Sequence, residues 1–390
     1  MKLLKKIASW FWKSKTLDDG RRRVSFLFFR KTWLPEISVL KQQLLSCERA
    51  LAVCQQKLDN YEKSLIASSP LWDPLWYVRE YGYEFNRYEA LAHWYEKGWK
   101  LGERPSPNMM YSNETGEPSI LTHNRAYLPG SLFYTRKGNL APLPEDVRRI
   151  KEYLHYKKTR KAKGVIYSCI TNGYDSIREK LIYRYLDPDW DYVLFSDDAS
   201  LLKEGVVGIW EVRPLQFTAL DNTRNSRWHK THPHILFPDY EESIFIDGNI
   251  NILSDFLFRT IRTMKTPIVL PRHFKNLCIY QEFSDVADAR LDDADVISAE
   301  KDFIEAEGMP KMYGMGETNI LYRRHSELKV AKICDDWWSM IEKYSKRDQL
   351  AFTYVLWKYD IKVEDVTFEC ARMLRTHFFL FEHAGARVLH

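Results

Sequence analysis

The residues best suited to do chemistry are Asp247 and Asn249, set either side of a glycine in Ile244-Phe245-Ile246-Asp247-Gly248-Asn249-Ile250. The β-branched and aromatic run before them reads as a buried strand. Gly248 is expected to let the backbone turn sharply where that strand emerges. A carboxylate and an amide then stand at the carboxyl end of a strand, where open α/β sheets bind their ligands. Two such oxygens can share a hard divalent cation, and the cation can hold a diphosphate. This is the chemistry a transferase of activated sugars needs. The competing reading is a turn in which Asp and Asn bond only their own backbone.

The neighbours favour the first reading. Arg224, Arg227 and Lys230 recur at intervals of three, share one helix face, and are placed to neutralise a diphosphate. Two earlier apolar runs end in Thr171-Asn172-Gly173-Tyr174-Asp175 and Ser196-Asp197-Asp198, where the base and ribose of a nucleotide could bind. Asp198 is the candidate for a ribose hydroxyl or base edge; a cap on the helix starting at Ala199 is its alternative. Downstream, Glu317-Thr318-Asn319 follows a Gly-rich loop without Gly-Lys-Ser/Thr, so it is read as close backbone approach or a mobile flap and not as a phosphate loop. Asp348-Gln349 opens a helix; Asp348 either caps it or faces the cleft to handle the acceptor hydroxyl or the sugar. The last segment carries His377 and His383 between aromatic residues.

The elements that must position these groups alternate. Apolar runs at 165–170, 190–195, 208–212, 244–246 and 268–270 read as strands. Helices are expected at 145–163, 176–185, 254–264, 328–344 (with Trp337 and Trp338) and 349–358, and a surface helix within 285–305. Strand, helix and strand at this spacing form βαβ units, so the fold class is α/β, a mixed and mostly parallel sheet flanked by helices.

Five segments are expected along the 390 residues: a basic amphipathic stretch (1–35), a coiled coil (36–68), a small aromatic-rich helical module (70–110), a linker with a charged helix (111–163) and the α/β domain (164–390). Hydrophobic residues at 45% supply a core, and the net charge of +5 is too modest and uneven to imply nucleic acid. Six scattered cysteines with no Cys-x-x-Cys argue against a zinc ribbon or a disulfide framework and fit a reducing compartment. No run reaches transmembrane length. The first twelve residues read as an amphipathic helix that lies in a membrane interface or packs on its own protein. Ile37, Leu40, Leu44, Cys47, Leu51, Cys54, Leu58, Tyr61 and Leu65 form a heptad seam, favouring a homo-oligomer over a helix docked on the domain.

Two resemblances add to this. Residues 72–107, with Trp72-Asp73-Pro74-Leu75-Trp76-Tyr77, His93-Trp94-Tyr95 and Gly102-Glu103-Arg104-Pro105-Ser106-Pro107, are similar to a short module accompanying many bacterial polysaccharide glycosyltransferases. His93 there is read as a packing residue. From 164 to 385 the chain resembles the TOD/MUCI glycosyltransferase-like family. The motifs are Thr-Asn-Gly-Tyr-Asp (171–175), Phe-Ser-Asp-Asp (195–198), Arg-x-x-Arg-x-x-Lys (224–230), Ile-Asp-Gly-Asn-Ile (246–250), Glu-Thr-Asn-Ile-Leu-Tyr-Arg-Arg-His (317–325) and Arg-Asp-Gln-Leu-Ala-Phe (347–352).

The resemblance implies a GT-A-like fold, a nucleotide-sugar donor and a divalent metal, manganese or magnesium. It places Asp247 and Asn249 in the metal motif and Arg227 and Lys230 upstream of it. Glu317, Arg347, Asp348 and Gln349 match positions around sugar and acceptor. A C-terminal histidine often completes such a metal site; His377 and His383 are both candidates, with His377 taken first. The expected function is hexosyl transfer to a glycan or lipid-linked acceptor in cell-surface polysaccharide or glycoconjugate synthesis. The expected setting is cytoplasmic, with peripheral contact at the inner face of the plasma membrane. Because the motif ends in Asn, not Asp, a non-catalytic sugar-binding scaffold is the alternative.

Overall fold

In the computed structural model the described residues are 72–106, 144–180, 183–374, 376–381 and 383, with scattered positions between 15 and 67. The chain divides into two compact units, Met1–Leu65 and Ile66–His390. In the first, Lys15–Thr16 pairs antiparallel with Arg22–Arg23. The described positions from 42 to 65 are helical, and the seam residues Leu44 and Leu51 are 60% and 70% exposed. The amphipathic helix expected at the N-terminus, most of the 111–163 linker and the rest of the seam lie outside the described residues. Among the described residues no helix is long and apolar enough to cross a membrane.

The second unit is built on an eight-stranded sheet. Its strands are β1 (Gly164–Ile170), β2 (Trp190–Ser196), β3 (Val206–Val207), β4 (Trp210–Pro214), β5 (Glu242–Ile246), β6 (Ile268–Pro271), β7 (Ile320–Arg323) and β8 (Thr367–Phe368). The order is β8-β6-β7-β5-β1-β2-β4-β3. The pairs β5–β1, β1–β2, β2–β4 and β8–β6 are parallel, whereas β7 runs antiparallel between β5 and β6, and β3 antiparallel to β4. This is the mixed, mostly parallel α/β sheet expected. Every residue of β1 and β5 is buried, as strands covered on both faces must be.

One face, carrying Val165, Tyr167, Phe195 and Phe245, packs against Trp337 and Phe352 of the helices Leu328–Lys343 and Asp348–Lys358. The other, carrying Ile166, Leu194 and Ile244, packs against Tyr153 and Phe258 of the helices Pro144–Lys157 and Phe256–Met264. Two expectations change. The helix predicted after Asp175 is a short 3-10 turn, Ile177–Lys180. The acidic stretch is not one helix: Ile279–Asp288 and Ala294–Ala306 are separate, the second capped by Asp293. The described cysteines of this unit are free and buried.

Residues 72–106 belong to the same unit. Two helices, Pro74–Tyr81 and Arg87–Glu96, are capped by Asp73 and Asn86, the latter through a full capping box with Glu89. Their aromatic core is continuous with Leu277, Cys278 and Met312 of the α/β domain. Arg79 bonds the Met312 carbonyl and Arg87 pairs with Glu369, so the loop leading to Glu317 is braced by the module and is not a free flap.

Candidate active site

The parallel register of β5, β1 and β2 brings Asp247, Thr171 and Asp197 to one end of the sheet. Opposite them lies the helix Asn222–Thr231, capped by Asp221. Its C-terminal end is clamped: buried Arg323 donates to the Lys230 carbonyl (2.7 Å) and to Tyr167 Oη (2.5 Å), and Tyr167 donates to that same carbonyl (2.9 Å). A cation on the last carbonyls of a helix is favoured electrostatically. The clamp sets where the Lys230 side chain emerges.

Lys230, 1% exposed, is the centre of an ion chain. Its Nζ lies 2.6 Å from Asp348 Oδ2 and 3.7 Å from Asp247 Oδ1. It also donates to Thr318 Oγ1 (3.1 Å), and Thr318 donates to Asp348 Oδ2 (2.8 Å). Arg227 Nε stands 3.0 Å from Asp348 Oδ1, an ionic contact without hydrogen-bond geometry. Burial pushes the Asp348 carboxyl up, but Arg227 and Lys230 outweigh it and hold the group well below the usual carboxylate range. Asp348 is the first residue of its helix and not the cap; Trp337 donates its indole N–H to the Asp348 carbonyl (2.8 Å), fixing the turn.

Asp247 is pinned through its backbone, whose N–H donates to the Asn319 carbonyl (2.9 Å). The backbone does turn at Gly248, as expected, closed by the Ile250 N–H on the Asp247 carbonyl (3.1 Å), but without entering the left-handed region. A Cβ there would stand 2.5 Å from Asp175 Oδ2 and 2.8 Å from Asp175 Cβ, so the glycine admits Asp175 beside the turn.

The C-terminal segment reaches the site through the strand Phe378–Leu380, antiparallel to Ile250–Ile252. Register then separates the two histidines. Leu380 pairs with Ile250, so His383 continues towards Asn249; Phe378 pairs with Ile252, so His377 falls at the other end. His377 hydrogen-bonds Ser254 Oγ (2.8 Å) and stacks on Phe256, which corrects its placement among the metal residues. His383 Nε2 lies 3.4 Å from Asn249 Nδ2, and His383 Nδ1 bonds Asp175 Oδ1 (2.9 Å). That bond raises the His383 pKa above its ordinary value, against burial.

The remaining candidates divide. Arg224 is not on the diphosphate face: it donates to the Ile341 and Tyr344 carbonyls and to Asp221, tying its helix to the end of Leu328–Lys343. Three-residue spacing on a helix already spreads side chains over an arc, and the carbonyls take the outermost cation. Asp198 is a cap, its Oδ1 accepting from Ser200 N, Leu201 N and Ser200 Oγ. Thr171 donates to the Asn222 carbonyl (3.0 Å), and Asn172, at φ 53°, gives its N–H to the Asp197 carboxylate. Gln349 lies near Glu282 Oε1 (3.4 Å), beside a buried Glu282–Asn276–His273 network.

Glu317 is buried and receives two bonds on Oε1 from Arg372 (2.9 and 2.6 Å). Burial raises its pKa, with Arg372 opposing. Arg372, which also covers the Phe274 ring, was not expected from sequence, and neither were Asp175 and Arg323; their partners are 55, 208 and 93 residues away.

Among the described residues no three His, Cys, Asp or Glu side chains are grouped to hold a metal ion. The set at the strand end is a carboxylate, an amide oxygen and an imidazole. Asn249 commits Nδ2 to the Phe381 carbonyl (2.9 Å), leaving Oδ1 as its acceptor. Asp175 on His383 Nδ1 is the carboxylate–histidine pairing that orients metal-bound imidazoles. This donor chemistry fits a divalent cation such as manganese.

A mixed sheet whose strand ends carry acidic and amide groups beside a cationic helix is the frame of a glycosyltransferase-like domain. The chain belongs to the TOD1/MUCI70 glycosyltransferase-like domain family, whose model matches residues 149–380. A curated relative, the probable hexosyltransferase MUCI70 of Arabidopsis thaliana, is 25% identical over an alignment of 214 residues, and the match covers 49% of this chain and 36% of that protein. The chain therefore spans well under half the length of that relative. Among solved structures, the apo form of the bifunctional glycosyltransferase WbbM is similar at 13% identity and a TM-score of 0.32, covering 53% of this chain and 38% of WbbM. Apo mouse xyloside xylosyltransferase 1 is similar at 11% identity and a TM-score of 0.32, covering 54% and 85%.

Proposed function

We propose that the domain transfers a hexosyl group from a nucleotide sugar to a glycan or lipid-linked acceptor. The observation that carries this reading is the ion chain Asp247–Lys230–Asp348 standing beside Asn249 and His383. In the reaction the bond from the sugar's anomeric carbon to the diphosphate oxygen breaks, a bond to an acceptor hydroxyl oxygen forms, and that hydroxyl's proton passes to the departing diphosphate or to water. Asp247, Asn249 and His383 would hold a divalent cation, which supplies charge neutralisation for the departing diphosphate. Lys230, between two carboxylates, is a fixed charge that needs no reorganisation. Asp348, held ionised far below neutrality, is a poor proton acceptor at pH 7; its role is to position and to balance Arg227 and Lys230.

The proposed setting is cell-surface polysaccharide or glycoconjugate synthesis on the cytoplasmic side of a membrane. Exposed Leu44 and Leu51 support self-association of the heptad helix. Incubation with UDP-, GDP- and TDP-hexoses plus manganese should release nucleoside diphosphate, and Asp247→Ala should abolish the release. No turnover with any donor, in wild type and variant alike, would count against the proposal.

A further inference from the structure

The helix Pro144–Lys157 carries groups that the candidate active site does not use. Arg149, Tyr153 and Tyr156 recur at spacings of four and three, so they share one face. With Arg184, Tyr185 and Leu186, from the segment entering β2, they line a cleft of about 330 Å³. Sites for small ligands occupy about 300–1,000 Å³. The cleft lies away from Asp247. Tyr153 Oη donates to the carbonyl of Trp190, the first residue of β2 (2.9 Å), whereas Asp247 follows the last residue of β5, and both strands run parallel to β1. Tyr153 also packs on the face of the sheet opposite the helix of Asp348.

The cleft is built before anything enters it. Asp146, 1% exposed, accepts from Arg149 (3.0 Å) and from Arg184, so one buried carboxylate positions two guanidinium groups. Arg149 also donates to the Tyr183 carbonyl (3.2 Å), which ties the helix to the opposite wall. Both Arg149 bonds leave from Nη1, and a guanidinium carries further N–H donors in the same plane. Arg160 covers the Tyr153 and Tyr156 rings (5.6 and 5.9 Å), and Tyr185 packs on Phe258 (5.5 Å), so all three rings are held. Tyr156 is still 46% exposed. Glu152 also lines the cleft, and with Asp146 it balances the two arginines.

We infer that this cleft is a second binding site for a neutral oligosaccharide, the part of the acceptor chain remote from its reacting end. The acceptor role rests on the transferase reading above. Tyrosine rings suit the C–H faces of a pyranose, and the planar Arg149 fork and the Glu152 carboxylate suit its hydroxyls. A phosphate or a polyanion meets no net positive charge here, because two carboxylates already balance the arginines. Rings held in advance cost little ordering on binding. β1, seven residues long, spans about 23 Å. A glycan held at one end of the sheet while its tip reacts at the other is tethered, which raises the effective concentration of that tip.

The test is calorimetry of the full chain, without metal or nucleotide, against maltohexaose, cellohexaose and mannohexaose, with a hyaluronan hexasaccharide as the anionic comparison. Wild type should bind at least one neutral hexasaccharide with a Kd of about 5 mM or lower. Tyr156→Ala and Arg149→Met should each weaken that binding at least about fivefold. Both should leave the affinity for UDP with manganese within about twofold, because the two sites are far apart. Tyr156→Ala, at an exposed position, should keep the wild-type melting temperature. The inference is overturned if no neutral hexasaccharide reaches that affinity, if Tyr156→Ala binds as wild type does, or if the hyaluronan fragment is preferred. It is equally overturned if Asp247→Ala abolishes the binding, which would put the glycan in the active site. Should Arg149→Met not fold, for want of a counter-charge to Asp146, Tyr156→Ala decides alone. Wild type that binds the hexasaccharide in this cleft yet releases nucleoside diphosphate from no donor removes the transferase reading and leaves the cleft a sugar site.

Discussion

Two carboxylates, half-buried Glu103 and buried Glu317, show how differently one chain uses the same group. Glu103, in the aromatic module, accepts from Tyr77 and from Tyr83 (2.8 Å), and Trp94 donates to its carbonyl (2.8 Å). His93 hydrogen-bonds Tyr77 (2.8 Å) and packs on Tyr83 and Phe85, a histidine held by its neighbours. Every oxygen of that carboxylate has an internal partner. Glu317, more deeply buried, has one oxygen on Arg372 and lies beside the Asn319 amide, which favours its ionised form. The first carboxylate ties two tyrosines of one module together; the second ties the turn that holds the Asp247 N–H to Arg372 of the C-terminal segment. The contrast predicts that substitutions in the module change stability alone, and that those at Glu317 also disturb the site, because the same turn holds Asp247.

Asp348 lies where both costs meet, so it gives the largest effect. Asp348→Asn leaves Lys230 and Arg227 without their buried counter-charge and should lower unfolding free energy by about 3–5 kcal/mol in urea titrations, with transfer lost. The sign with pH follows. The folded-state pKa of Asp348 is depressed, so its stabilisation is present above the ordinary carboxylate range and is lost as pH falls through the folded value. The variant should therefore show a weaker loss of stability in acid than wild type.

Gly248→Ala drives a methyl against Asp175 and should cost about 1–3 kcal/mol by thermal or denaturant unfolding. It should also weaken manganese binding, because Asp175 orients His383. Tyr77→Phe sharpens the other side of the contrast: about 1–2 kcal/mol of stability lost, with donor affinity unchanged by calorimetry. Manganese affinity should fall as pH is lowered through the raised His383 pKa, since the protonated imidazole cannot ligate, and that slope should vanish in His383→Gln. Smallest is Asp198→Ala, which loses a helix cap: a slight drop in melting temperature and no change in nucleotide affinity, against the ribose role its sequence position proposes.

Much of the fold was legible because its strands are short apolar runs with abrupt ends. Trp190–Ser196, Glu242–Ile246 and Leu328–Lys343 begin and stop within two residues of where hydrophobic pattern and turn residues put them. Asp247, Asn249, Lys230 and Asp348 were legible as candidates from residue type at strand and helix ends. Their pairing was not. Arg224, Arg227 and Lys230 look alike in sequence, and only the helix packed beside them decides which one spends its charge on carbonyls. His377 and His383 differ by the register of a three-residue strand. Arg372 and Asp175 act through partners that adjoin them only after the C-terminal segment has folded back, and no local pattern encodes that.

The most direct measurement is a structure of the full chain with manganese and a nucleotide sugar it binds. The diphosphate is expected at Asp247, Asn249 and His383, beside Lys230. A donor bound elsewhere, with Asp247 and Lys230 untouched, would contradict the proposed function.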